Sequence, residues 1–168
     1  MVNMNKHALL MRAMTEYEAG IPHRVQHFLK VYGFAKIVGE LENVDDYTQN
    51  VLETAAIVHD IGIKLAIQLY GSSDGKYQEE LGVAPALEML SKLDYPNEVI
   101  SRVCFLVAHH HTYSDISGLD WQILLEADFL VNAFEGKMSK ESITDTYKNV
   151  FKTKTAKELC RTMYNIEE

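Results

Sequence analysis

"ETAAIVHDIGIK", residues Glu53–Lys64, closes an apolar run with a histidine, an aspartate and a glycine turn. His59 follows Ala55 by four positions and Val51 by eight, so it continues the inward stripe of one helix. Asp60 comes directly after it. Neighbours on a regular helix point about 100° apart. A helix that breaks at Gly62 can aim both groups at one point.

The same phase recurs elsewhere. His27 precedes Val31 by four, Phe34 by seven and Val38 by eleven. Asp128 follows Leu124 by four and precedes Val131 by three. An aspartate is almost never fully buried without a partner. Imidazoles and carboxylates on the inward faces of three helices share one natural partner, a divalent cation, which takes nitrogen and hard oxygen donors together. The core of a helical bundle is a common place to hold one.

The rest of the chain reads as helix almost throughout. The segments are 4–18, 23–42, a helix capped by Asp45 or Asp46 running to about residue 60, 78–92 with Pro85 as a kink, and 97–111 ending in three histidines. A further helix over 120–135 has Asp120 as its cap and Gly136 as its stop, and weaker helices cover 139–151 and 154–165. "YGSSDGKY", "DYPNE" and "TYSDISGLD" are the loops. Strict alternation is nearly absent, which predicts an all-α bundle of about seven or eight helices in a single domain spanning 1–168.

Composition narrows the function. Hydrophobic residues are 47% of the chain, enough for a sizeable core. A net charge of −8 argues against a nucleic-acid polymer as partner, because neutralising a phosphate backbone needs a dense Lys/Arg surface. A small anionic substrate stays open, since a bound cation reverses the local sign. Cys104 and Cys160 lie far apart and read as small buried hydrophobes of a reducing compartment. The N-terminal run "ALLM" is too short for a signal-peptide core or a membrane span, so the expected location is the cytoplasm. Helical chains of this size often form homodimers, but the sequence names no interface.

The set His27, His59–Asp60 and Asp128 resembles the H…HD…D pattern of the HD-domain superfamily (HDIG-type) of metal-dependent phosphohydrolases. "HFLKV" at 27–31, "VHDIGIK" at 58–64 and "EADFLVNA" at 126–133 are each similar to one of its motifs, and the resemblance spans roughly residues 20–135. It implies a helical bundle in which His27, His59, Asp60 and Asp128 ligate one divalent ion, be it Fe, Mn, Ni, Co, Zn or Mg. It implies hydrolysis of a phosphomonoester or phosphodiester of a small metabolite or nucleotide, by water activated at that ion. On that expectation Asp60 assists proton transfer while coordinating, and Lys30 and Lys64 are candidate phosphate contacts. Of the three histidines at 109–111, helical phase favours His110 as a ligand or phosphate contact, since it follows Val103, Leu106 and Val107 by seven, four and three; His109 is the second candidate for substrate binding and His111 the third. Two-metal members carry another histidine four residues before a glycine, where "KYQEELG" has Gln78. That departure favours a single ion. The glycine-tyrosine-proline motif of the cyclic-dinucleotide branch is missing. The competing expectations are a two-iron oxygenase, which needs the extra histidines, and a non-catalytic nucleotide-binding module with a structural metal.

Overall fold

The computed structural model describes residues 5–167. Nine helices follow one another among the described residues: α1 Lys6–Tyr17, α2 Pro22–Leu41, α3 Asp46–Val58, α4 Ile63–Tyr70, α5 Gly75–Lys92, α6 Asn97–Val107, α7 Leu119–Glu135, α8 Lys140–Val150 and α9 Lys154–Tyr164. The all-helical expectation holds. The expected start of the first helix, residue 4, lies outside the described residues.

α7 is buried almost without interruption from Asp120 to Val131, on every face. A helix apolar all round belongs at the centre of a bundle. α2 and α3 pack against it and against each other, α6 covers α3, and α5 packs on α6 and α4. α8 and α9 pack on each other, with α9 also against α7 and α2. α2 turns His27, Phe28, Val31, Ala35 and Val38 inward, while α3 buries every residue from Val51 to Val58. Asp45 caps α3 by accepting the Thr48 N–H at 2.9 Å, which ties the helix start to a residue chosen for that task.

Four local expectations change. A separate short helix, α4, follows the "HDIG" turn. α5 starts at Gly75, three residues before the predicted start. α6 ends at Val107, so His109, His110 and His111 stand on a turn beyond the helix. Asp120 is not the cap of α7. Gly118 holds that position at φ +94°, and Asp120 in the first turn takes a bidentate pair from Arg102, with both bonds at 2.7 Å.

Gly62 acts differently from a simple helix breaker. Its φ of −72° is open to any residue. A Cβ there would collide with the Gln78 carbonyl and stand 2.9 Å from the Gly82 nitrogen. The glycine therefore lets the α5 backbone cross directly over the "HD" turn. That close approach carries Gln78 to the site described next.

Candidate metal centre

The site lies where the N-terminal third of α2, the turn after α3 and the middle of α7 converge. His59 is the C-cap residue of α3 and is fully buried; its Nδ1–H donates to the Ala56 carbonyl at 2.9 Å. His27 donates its Nδ1–H to Glu135 Oε2 at 2.8 Å. These two bonds fix each ring as the tautomer whose Nε2 carries a lone pair. The two Nε2 atoms face each other at 3.3 Å. Asp60 Oδ2 lies 3.3 Å from the first and 3.6 Å from the second. Asp128 Oδ1 lies 3.1 and 3.4 Å from the same pair.

With the imidazoles neutral and the carboxylates ionised, these four groups offer lone pairs toward one another with no proton between them. The donor set fits a cation. Ligands about 2.1 Å from a common ion stand about 3.0–3.4 Å apart in octahedral or tetrahedral arrangements, and the separations between each histidine Nε2 and the other histidine or either aspartate run from 3.1 to 3.6 Å. His27, His59 and Asp60 offer ligand atoms that all lie within 4.8 Å of one another.

The electrostatics carry the same message. Burial disfavours the imidazolium at both histidines, yet the facing carboxylates overcome it. The His27 pKa is raised chiefly through Asp128, and that of His59 is lifted by Asp60 and Asp128 to about 9. Burial alone would raise the two aspartates; His59 and His110 around Asp60, and His27 and His59 around Asp128, hold both well below the usual carboxylate range. A pocket that demands positive charge this strongly takes it from protons or from a metal ion.

The supporting partners come from α7. Asn132 Nδ2 donates to Asp128 Oδ1 at 2.9 Å. Glu135 joins His27 to Lys30, whose Nζ is 2.6 Å from Glu135 Oε1. Asp128, Asn132 and Glu135 sit at i, i+4 and i+7, one face of one helix.

A second donor group adjoins the first. Asp60 turns its other oxygen, Oδ1, to His110 Nε2 at 3.3 Å. The His110 Nδ1–H goes to the Val107 carbonyl at 2.8 Å, which again leaves Nε2 facing inward. Asp60, His110 and His111 form the second cluster of ligand atoms. Gln78 spans it: its amide nitrogen donates to the Ser73 carbonyl at 2.6 Å, and its Oε1 lies 3.3 Å from His110 Nε2 and 3.1 Å from His111 Nε2.

The centre opens into a cleft of about 280 Å³ lined by His23, Arg24, Asp60, Ser73, Gln78 and Asn132 among others. Arg24 was not singled out by sequence. Its Nη1 is 3.0 Å from Glu18 Oε2, a buried carboxylate that holds the guanidinium in place.

The predicted site residues therefore divide. His27, His59, Asp60, Asp128 and His110 come together. His111 joins them and His109 does not: His109 stacks on Phe105 with centroids 4.2 Å apart and bonds the Phe105 carbonyl. A helix continued through residue 111 would place His109 ahead of His111, but α6 stops at Val107. Lys30 lies at the rim, engaged with Glu135. Lys64 turns away from the cleft, donating to the Tyr17 carbonyl at 2.7 Å with its Nζ 4.7 Å from the Tyr17 ring centroid.

A family model of the HD domain matches residues 24–152, well over half of the chain and every residue of the centre. The chain belongs to the HD-domain family. The fold of this HD domain is shared with the crystal structure of a predicted HD superfamily hydrolase from an uncultured Thermotogales bacterium, with a TM-score of 0.70, 20% sequence identity, and coverage of 98% of this chain and 88% of that one. No curated protein matches the chain. HD domains bind divalent metals and form a superfamily of metal-dependent hydrolases; the donors gathered here suit that chemistry.

Proposed function

We propose that this HD domain hydrolyses a phosphomonoester or phosphodiester of a small metabolite or nucleotide. The observation that carries the reading is the four-donor cluster at the floor of a cleft, with Asp60 shared between it and His110. A divalent ion held by His27, His59, Asp60 and Asp128 supplies a water of lowered pKa and polarises a phosphoryl oxygen.

The chain's own residues do the rest. Asn132 and Glu135 hold Asp128 and His27 in orientation. Asp60 Oδ1, facing His110 Nε2 at 3.3 Å, is the pair placed to pass a proton at the edge of the centre. Arg24, anchored by Glu18, lines the cleft, and its guanidinium suits a phosphate fork better than Lys30 or Lys64, which are engaged elsewhere. The cleft volume suits a substrate of small-metabolite or nucleotide size.

A second reading rests on the Asp60–His110–His111 cluster, which offers donors for another ion and so for two-iron oxygen chemistry. Gln78 speaks against it, since its amide fills the position between those histidines. The test is the protein loaded in turn with Mn, Fe, Ni, Co, Zn and Mg, with metal counted per chain, and a panel of phosphomonoesters and phosphodiesters followed by phosphate release. One ion per chain and turnover that disappears in Asp60→Asn supports hydrolysis. Two irons per chain with oxygen uptake and no phosphate release overturns it.

A further inference from the structure

Leu29, Gly33, Ile37 and Leu41 recur every four residues along the side of α2 that faces away from the bundle. Leu29, Ile37 and Leu41 are 38%, 44% and 64% exposed. Phe134, 71% exposed, lies beside Lys30, whose Nζ is 6.0 Å from its ring centroid. A row of apolar side chains this open on a helix interior is a feature that something normally covers.

Gly33 sharpens the point. Glycine inside a helix weakens it, so it persists where something needs the space. Inside the chain that reason is visible at other glycines: Gly39 admits the Gln49 side chain and Gly82 admits Val107. At Gly33 a Cβ would meet no atom within 4 Å. The notch is open to the outside and sits within the apolar row.

The row is complementary to itself. Turned about a two-fold axis at the level of Ala35, α2 of a second copy runs antiparallel and sets residue 29 opposite 41, 33 opposite 37 and 30 opposite 40. The partner's Ile37 then enters the Gly33 notch, and Ile37 enters the partner's notch. Leu29 meets the partner's Leu41. Lys30, paired with Glu135 in its own chain, stands opposite the partner's Glu40, paired with Lys36 in its own, so unlike charges face each other twice across the contact. An isologous interface requires this reciprocity, and size and charge both satisfy it.

We propose that this face of α2 is a homodimer interface in which two copies cross antiparallel, Ile37 of each filling the Gly33 notch of the other. The pairing does not depend on the hydrolytic reading, and its test does not use activity. Sedimentation equilibrium on the full chain, from micromolar to millimolar concentration, reads a reversible dimer. Ile37→Glu weakens association at least tenfold, and so does Gly33→Leu, which fills the notch while favouring the helix; circular dichroism reports that both variants keep their helices. A mixture of Gly33→Cys and Ile37→Cys chains forms a covalent dimer under oxidation faster than either chain alone. A chain monomeric over the whole range overturns the proposal. A dimer indifferent to both substitutions, or a mixture no faster than its components, overturns it too, placing the contact on another face.

Discussion

Glu135 shows how much one side chain at the rim settles. It takes the Nδ1–H of His27 and pairs with Lys30 at the same time. Glu135→Gln should lower metal affinity about 10- to 100-fold, as loss of such an orienting partner does, with helix content unchanged; titration calorimetry with Mn measures it. Sequence phase exposed His27, His59 and Asp128 because a polar group on an apolar stripe is conspicuous. Glu135 and Asn132 stayed hidden because polar residues near a helix end are ordinary. His7 was unreadable for the same reason, yet its Nδ1 lies 3.1 Å from Glu53 of α3. Burial would raise the Glu53 pKa, but bonds from His7, Gln49 and Tyr32 bring it down to about 2. A lowered carboxylate stabilises the fold above its ordinary pKa and loses that contribution as pH falls through its folded one. Denaturation at a series of acid pH values should therefore show stability declining from about pH 4.5 toward pH 2, by up to about 3 kcal/mol from this group. Glu53→Gln should flatten that limb; an unchanged limb removes Glu53 as its cause.

At the scale of elements, the crossing of α5 over the "HD" turn depends on Gly62. Gly62→Val would drive a side chain into the Gln78 carbonyl and the Gly82 nitrogen. Overpacking of this kind costs about 1–3 kcal/mol, so urea midpoints should fall, and Gln78 should leave His110. The junction of α8 and α9 depends on Glu126 in the same way. Fully buried on α7, it accepts the Lys152 and Thr153 N–H groups at 2.5 and 3.0 Å and a Gln122 amide proton at 2.7 Å. Glu126→Ala orphans those donors, and about 2–4 kcal/mol of stability should be lost. The long helices were legible from their stripes. α4 was not, since its eight residues begin right after a glycine read as a stop. The end of α6 was misread because "AHHHTY" holds no breaker; the turn there is held by tertiary partners such as Glu79, which accepts the His111 N–H at 2.9 Å.

Across the whole molecule the centre ties α2, the end of α3 and α7 together, so metal binding and folding stability are linked. No helix among the described residues is long and apolar enough to cross a membrane. A metal at a hundredfold excess over its Kd should stabilise the fold by about 2.7 kcal/mol, and a chelator should remove that increment. The pH trend has a definite sign. With its pKa raised to about 9, His59 as imidazolium stabilises the metal-free protein fully below its unfolded value of 6.5, and that contribution fades as pH rises through 9. Metal needs the neutral imidazole. The metal-free protein should therefore lose stability between pH 6.5 and 9 while metal affinity climbs, so the gap between metal-loaded and metal-free melting temperatures widens with pH. A gap constant over that window would mean that the ion does not displace the His59 proton.

The central claim is that four side chains from three segments hold one divalent ion. Anomalous diffraction at the manganese edge, from crystals of the manganese-loaded protein, addresses it directly. A single strong peak should lie among His27 Nε2, His59 Nε2, Asp60 Oδ2 and Asp128 Oδ1, and it should vanish in Asp128→Asn. Saturated crystals with no peak there, or with the ion bound elsewhere, would contradict it.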